Sequence, residues 1–157
     1  MRSHRSVVLL VAAFLGSHPA TFAQTNAAVL SAKNERPSVT WEQSSLVKVK
    51  LDGKSNGAAL LGYGSAKIYV AVFRGPASPK SKPRILEFGV GAGQQAAVCA
   101  VPARLEVEKL RCDPMGDALP GCRPSQNAQH LVVHGGECDP IVIYWDHKAG
   151  GPGWWRL

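Results

Sequence analysis

The stretch Lys67-Ile68-Tyr69-Val70-Ala71-Val72-Phe73 is rich in β-branched and aromatic residues and apolar on both alternating faces. Such a run suits a strand covered on both sides, and it is expected at the centre of a sheet. Upstream, Leu46-Val47-Lys48-Val49-Lys50-Leu51 alternates instead, with Val47, Val49 and Leu51 on one face and Lys48 and Lys50 on the other. That period of two predicts a half-exposed strand. Between the two runs lie the turn Asp52-Gly53-Lys54-Ser55-Asn56-Gly57 and the apolar Ala58-Ala59-Leu60-Leu61. Downstream, residues 75–83 hold three prolines and two lysines, which rules out a ladder and predicts an exposed loop.

Short β-type runs then recur over Ile85 to Val90, Ala96 to Val101, Arg104 to Leu110, Gln129 to His134, Ile141 to Trp145 and Trp154 to Leu157. Glycine and proline separate them, as in Gly89-Val90-Gly91-Ala92-Gly93 and Gly150-Gly151-Pro152-Gly153. Strands at this spacing predict an all-β domain, a small antiparallel sandwich or barrel with little helix. Residues 45–157 are expected to form that single domain. Residues 24–44, polar and Ala-rich without a sustained period, are expected to be a loosely ordered N-terminal segment.

Composition narrows the class. The chain has 157 residues, 45% hydrophobic and 18% charged, enough apolar material for one core and too little charge for a disordered chain. Residues 1–23 read as a signal peptide: Arg2 and Arg5, then the apolar run Val7 to Leu15, then Thr21-Phe22-Ala23 ahead of Gln24. Nine apolar residues of helix reach roughly 14 Å, too short for a permanent membrane span. Removing the first 23 of 157 residues leaves 134, with 16 basic against 11 acidic side chains, a balance of +5. That balance suits an acidic protein partner or envelope polymer, whereas the sequence lacks the aromatic and basic pattern expected for nucleic acid. A periplasmic or secreted monomer is the expected state.

Export makes the four cysteines a disulfide framework. The expected pairing is Cys99 with Cys138 and Cys112 with Cys122; the alternative is Cys99 with Cys112 and Cys122 with Cys138. Cys112 and Cys122 enclose nine residues, 113–121, with two prolines, two glycines and the apolar Met115 and Leu119. A stapled, proline-rich loop loses little entropy on docking. Arg111 and Arg123 flank it, and Trp155 follows near the C-terminus, so Arg111, Met115, Leu119, Arg123 and Trp155 are the expected partner-binding residues.

The turn at Asp52 resembles a shortened D-x-D-G-x-x-D turn of FG-GAP/VCBS-type β modules. The chain also resembles small secreted bacterial β proteins of unknown function with such a turn, a late cysteine pair and a Trp-rich end. The first resemblance implies a calcium ion held between two strands. Here only Asp52 and Asn56 remain as oxygen ligands, and Lys50 and Lys54 stand where acids are wanted, so no cofactor is expected.

Other constellations also read as bland. His130 and His134 lie four residues apart in a strand, roughly 13 Å, too far to share one metal ion. Glu106 and Glu108 alternate with Leu105 and Val107 and read as a solvated strand face rather than a glycosidase pair. No G-x-S-x-G occurs to build a Ser nucleophile with His134 or His147 and Asp139 or Asp146. The function expected from these readings is a small binding protein, inhibitor- or immunity-like, acting on a protein partner in the cell envelope. A carbohydrate- or envelope-polymer-binding module is the alternative, and a secreted hydrolase the second alternative.

Overall fold

The computed structural model describes residues 19–156, and side chains from Ala23. The apolar run Val7 to Leu15 lies outside the described residues. The elements in chain order are α1 (Pro19–Glu35), β1 (Thr40–Trp41), β2 (Val47–Val49), β3 (Gly57–Gly64), β4 (Lys67–Phe73), β5 (Arg84–Val90) and β6 (Ala97–Val98). They continue through β7 (Arg104–Lys109), β8 (Gln129–His134), β9 (Ile141–Asp146) and β10 (Gly151–Arg156).

Two sheets face each other. The first runs β1-β3-β4-β5-β6, with β2 pairing the same strand as β1, and the second runs β10-β9-β8-β7. The run that opened the reading, β4, is paired on both sides, Val70 against Leu61 and Leu86. Its alternation divides cleanly. Ile68, Val70 and Val72 enter the core between the sheets with Leu61, Phe88, Leu131, Val133, Ile141 and Ile143. Ala71 and Phe73 face the other way.

The expected all-β architecture with little helix is what the structure shows, and two details within it differ. The first sheet is mixed, because β6 runs parallel to β5, Gly89 beside Ala97 and Val90 beside Val98. Residues 91–96 loop out and return the chain in the same direction, through Gly91 and Gly93 at positive φ, where a period-two pattern cannot report strand direction. Residues 24–44, expected to be loosely ordered, instead carry most of α1, then β1 and a short 3-10 turn over Gln43–Ser45.

The helix was hidden because it docks through small side chains. Ala28, Ser31 and Ala32 are its buried residues, at i, i+3 and i+4, and their low hydropathy leaves no apolar stripe in the sequence. Ala28 and Ala32 pack with Val39, Trp41 and Ala77 on Ala58, Leu60, Ala71 and Phe73, the outer face of the first sheet. Ser31 Oγ donates to the Ser81 carbonyl, tying the helix to the proline-rich loop. Gly62 admits the covering chain: a Cβ there would lie 2.5 Å from Val39 Cγ1 and 2.6 Å from Trp41 Cε3. The helix ends at Glu35, before Pro37, whose ring disfavours helical geometry at Arg36.

Disulfides join Cys99 to Cys138 and Cys112 to Cys122, each with Cα atoms 5.6 Å apart. Among the described residues no cysteine is free, and no helix is long and apolar enough to cross a membrane. The Asp52 turn is closed by its own carboxylate. Oδ1 accepts from the Lys54 and Ser55 amides, and Oδ2 from Ser55 Oγ and Arg74 Nε. Burial by itself would raise the Asp52 pKa, but the Ser55 and Lys54 amides, the Ser55 hydroxyl and Arg74 outweigh it and hold it at about 2.

Candidate functional site

The second sheet has one face in the core and one outside. Leu105 and Val107 of β7 pack against the core together with Leu131, Val133, Ile141, Ile143 and Trp145. The alternate residues must then point outward: Glu106 and Glu108, His130, Val132 and His134, and Val142 and Tyr144. Register aligns them across strands, Glu108 opposite His130, Glu106 opposite Val132, Val132 opposite Val142, and Val142 opposite Trp155.

Trp154 and Trp155, adjacent on β10, separate to opposite faces. Trp154 meets Phe88 edge-on, ring centroids 5.6 Å apart, and stays 36% exposed. Trp155 lies on the outer face. Arg156 anchors this strand end by donating to the carbonyls of Gln94, in the loop before β6, and Ala97 of β6, at 2.9 and 2.7 Å.

The stapled loop builds a wall on that outer face. Tyr144 Oη donates to the Pro120 carbonyl at 3.0 Å, and the His147 amide to the Gly121 carbonyl at 2.9 Å. Gly121 has φ +65°, and a Cβ there would lie 1.8 Å from Asp146 Oδ1, so only glycine lets the loop lie so close to β9. With Pro114 of the loop on one side and Trp155 and Pro140 among its other walls, a cavity of about 190 Å³ forms over Val132 and Val142. Glu108, Arg111, His130 and His134 supply its polar lining. A wider groove of about 710 Å³ adjoins it, lined by Lys109, Arg111, Asp113 and Leu119 among others.

The cavity's polar groups are unusual in their pairing. His130 is only 4% exposed, with Nε2 3.3 Å from Glu108 Oε2. Burial pushes the His130 pKa down, only partly opposed by Glu108. His134 Nε2 lies 3.2 Å from Glu106 Oε2, close enough for an ion pair but outside hydrogen-bond geometry. Arg104 holds the Glu106 carboxyl below its ordinary pKa. Three buried ring nitrogens here, His130 Nδ1, His134 Nε2 and Trp155 Nε1, make no hydrogen bond within the protein. All three atoms are shielded from solvent by their surroundings, as is the unpaired Trp41 Nε1 on the outer face of the first sheet.

The expected contact residues fall in different places. Arg111 and Trp155 line the same cavity, and Arg111 also lines the groove with Leu119. Met115 stands 68% exposed on the loop and Arg123 is exposed; neither lines either space. The sequence reading missed His130, His134, Val132, Val142, Pro114 and Pro140 as cavity residues. The alternation in Gln129 to His134 did place His130, Val132 and His134 on one face, opposite the face of Leu131 and Val133. What it could not show is that a distant loop and strand wall this outer face. Among the described residues no group of three or more His, Cys, Asp or Glu side chains is arranged to hold a metal ion.

No protein-family model matches this chain, and no curated protein or solved structure matches it.

Proposed function

We propose that the chain works outside the cytoplasm as a small non-covalent binding domain for a carbohydrate polymer of the cell envelope. Its contact surface is the outer face of the second sheet. The observation that carries this reading is the cavity in which Trp155 stands beside the apolar Val132 and Val142, with Glu108, Arg111, His130 and His134 around them. Sugars offer both an apolar C–H face for an indole and an edge of hydroxyls that each donate and accept. Two disulfides and the leader-like first 23 residues support an oxidising, extracytoplasmic compartment. Lys109 and Arg111 in the adjoining groove would attract acidic substituents along such a polymer.

The test is co-sedimentation of the oxidised protein with purified peptidoglycan sacculi and with insoluble cellulose and chitin. Retention by at least one polymer, lost in Trp155→Ala with the fold intact, is the expected result. No retention by any of them overturns the reading.

A second reading, an inhibitor- or immunity-like domain for a protein partner, is favoured by Met115, which stands 68% exposed on a loop stiffened by a disulfide and prolines. It predicts that Met115→Ser weakens partner binding while Trp155→Phe does not.

A further inference from the structure

One end of the sandwich gathers exposed cations. Lys50, just after β2, is riveted to the start of β8. Its amide donates to Gln129 Oε1 at 2.9 Å, and its carbonyl accepts from the Gln129 amide at 3.0 Å. Gln129 stands opposite Lys109 in the β7–β8 ladder, so their side chains are cross-strand neighbours. The turn over residues 52–57 closes the same end, where a Cβ on Gly53 would lie 2.9 Å from Ser125 Oγ. Lys48, Lys50, Lys54, Lys109 and Arg111 are all exposed, and among the described residues none of them is in an ion pair.

These contacts join two concave spaces. A pocket of about 510 Å³ is lined by Lys48, Lys50, Asn56 and Gln129 among others. The groove of about 710 Å³ is lined by Lys109 and Arg111, and also by Ser125 and Gln126. Gln129 of the pocket neighbours Lys109 of the groove. The turn carries Asn56 into the pocket and sets Gly53 against Ser125 of the groove, with Lys54 between. Both volumes fall within the range of a ligand site.

Charge and polarity then describe the ligand. Asp113 is the one carboxylate lining either space, and the Asp52 carboxylate is occupied by its own turn and by Arg74. Four lining cations against one acid attract a polyanion and raise its local concentration. Among the described residues Asn56 and Gln126 make no side-chain hydrogen bond, and an amide side chain both donates and accepts, as a hydroxyl does. Cations interspersed with free amides suit a chain that carries carboxylates and hydroxyls together.

Building on the polymer reading above, we propose that this end of the sandwich is a binding track for an acidic polysaccharide, running from the groove across Gln129 into the pocket. Sugar carboxylates pair with Lys109 and Arg111 in the groove and with Lys48 and Lys50 in the pocket. Lys54 spans the interval, and Asn56 and Gln126 take ring hydroxyls.

The experiment is fluorescence anisotropy of labelled oligogalacturonate titrated with the oxidised protein, beside labelled dextran and labelled polyglutamate. Two variants cut the track, Lys48→Gln with Lys50→Gln and Lys109→Gln with Arg111→Gln. A third, Arg36→Gln with Lys148→Gln, removes the same charge from another part of the surface. Oligogalacturonate should bind and dextran should not. Each track variant should bind roughly tenfold more weakly with Tm unchanged, and the third variant should change by less than about twofold. At about 1 M NaCl, where charges are screened beyond about 3 Å, binding should be lost. Equal weakening in all three variants would overturn the track and reduce binding to net charge. Tighter binding of polyglutamate would overturn the polysaccharide assignment in favour of an acidic protein partner. If oligogalacturonate fails to bind while sacculi or an insoluble polysaccharide still retain the protein through Trp155, the track falls and the polymer reading stands. If neither polymer class is bound, both fall.

Discussion

Replacing Asp52 by Asn keeps the size of the side chain and removes its charge, and the structure sets what that should cost. The carboxylate is 7% exposed and accepts from two backbone amides, one hydroxyl and one guanidinium. Its pKa is held at about 2 against an ordinary 3.8. Because the folded value is depressed, the stability it contributes is fully present above pH 4 and is lost as pH falls through 2. At 1.36 kcal/mol per unit this amounts to about 2 kcal/mol at neutral pH. The Arg74 side chain is 69% exposed, so most of the effect belongs to the amides and hydroxyl, and solvent screens the ion pair. The assay is urea denaturation of wild type and Asp52→Asn at pH 7 and pH 2, with disulfides intact. At pH 7 the variant should be about 2 kcal/mol less stable, a fall of roughly 6 °C in Tm for a domain of this size. At pH 2 the gap should shrink by at least half, since the folded carboxylate is then about half protonated and the unfolded one almost wholly so. A gap of the same size at both pH values would refute the reasoning, because it would make the loss one of shape rather than charge. Arg74→Ala, measured alongside, should cost no more than about 1 kcal/mol even though Arg74 also lies 5.4 Å from the Trp145 ring.

Three further outcomes are expected. Val70→Asp, placing a carboxylate at a fully buried position of the central strand, should abolish folding, and a soluble variant with wild-type melting would contradict the core assignment. Converting Cys112 and Cys122 together to Ala should lower stability by about 2–3 kcal/mol for the nine-residue loop they enclose, read by denaturation under non-reducing conditions; a change under 0.5 kcal/mol would mean the loop is held by Pro120 and Gly121 alone. Met115→Ser should leave Tm within about 1 °C because the side chain is exposed, and a sharp fall would show that Met115 covers the sheet.

Much of the architecture was legible in the sequence because strand patterning is local. The alternation in Leu46 to Leu51, the doubly apolar Lys67 to Phe73, and the apolar inner faces of Gln129 to His134 and Ile141 to Trp145 each declare a strand and the side it buries. The adjacent pair Trp154-Trp155 had to divide between faces for the same reason, and the structure puts Trp154 on Phe88 and Trp155 outside. Glycine- and proline-rich joints placed the turns. Cysteine count and loop length favoured a pairing that the fold then made geometrically available.

What no stretch of sequence could state is which distant segment lies on a given face. The helix over Pro19–Glu35 carries its contact on Ala28, Ser31 and Ala32, side chains too small to leave a hydrophobic period, and only the surface of Ala58, Leu60, Ala71 and Phe73 gives them something to bury. The parallel pairing of Ala97–Val98 depends on a loop that turns the chain back, not on the composition of the strand. The histidines of Gln129–His134 read as solvated because alternation names the outer face without saying whether it is covered. The loop closed by Cys112 and Cys122, seated on β9 through Pro120 and Gly121, and the indole of Trp155 arriving from β10 wall that face. Burial and polar pairing are properties of the assembled layers, so the buried His130 and the cavity beside Trp155 exist only once those layers meet.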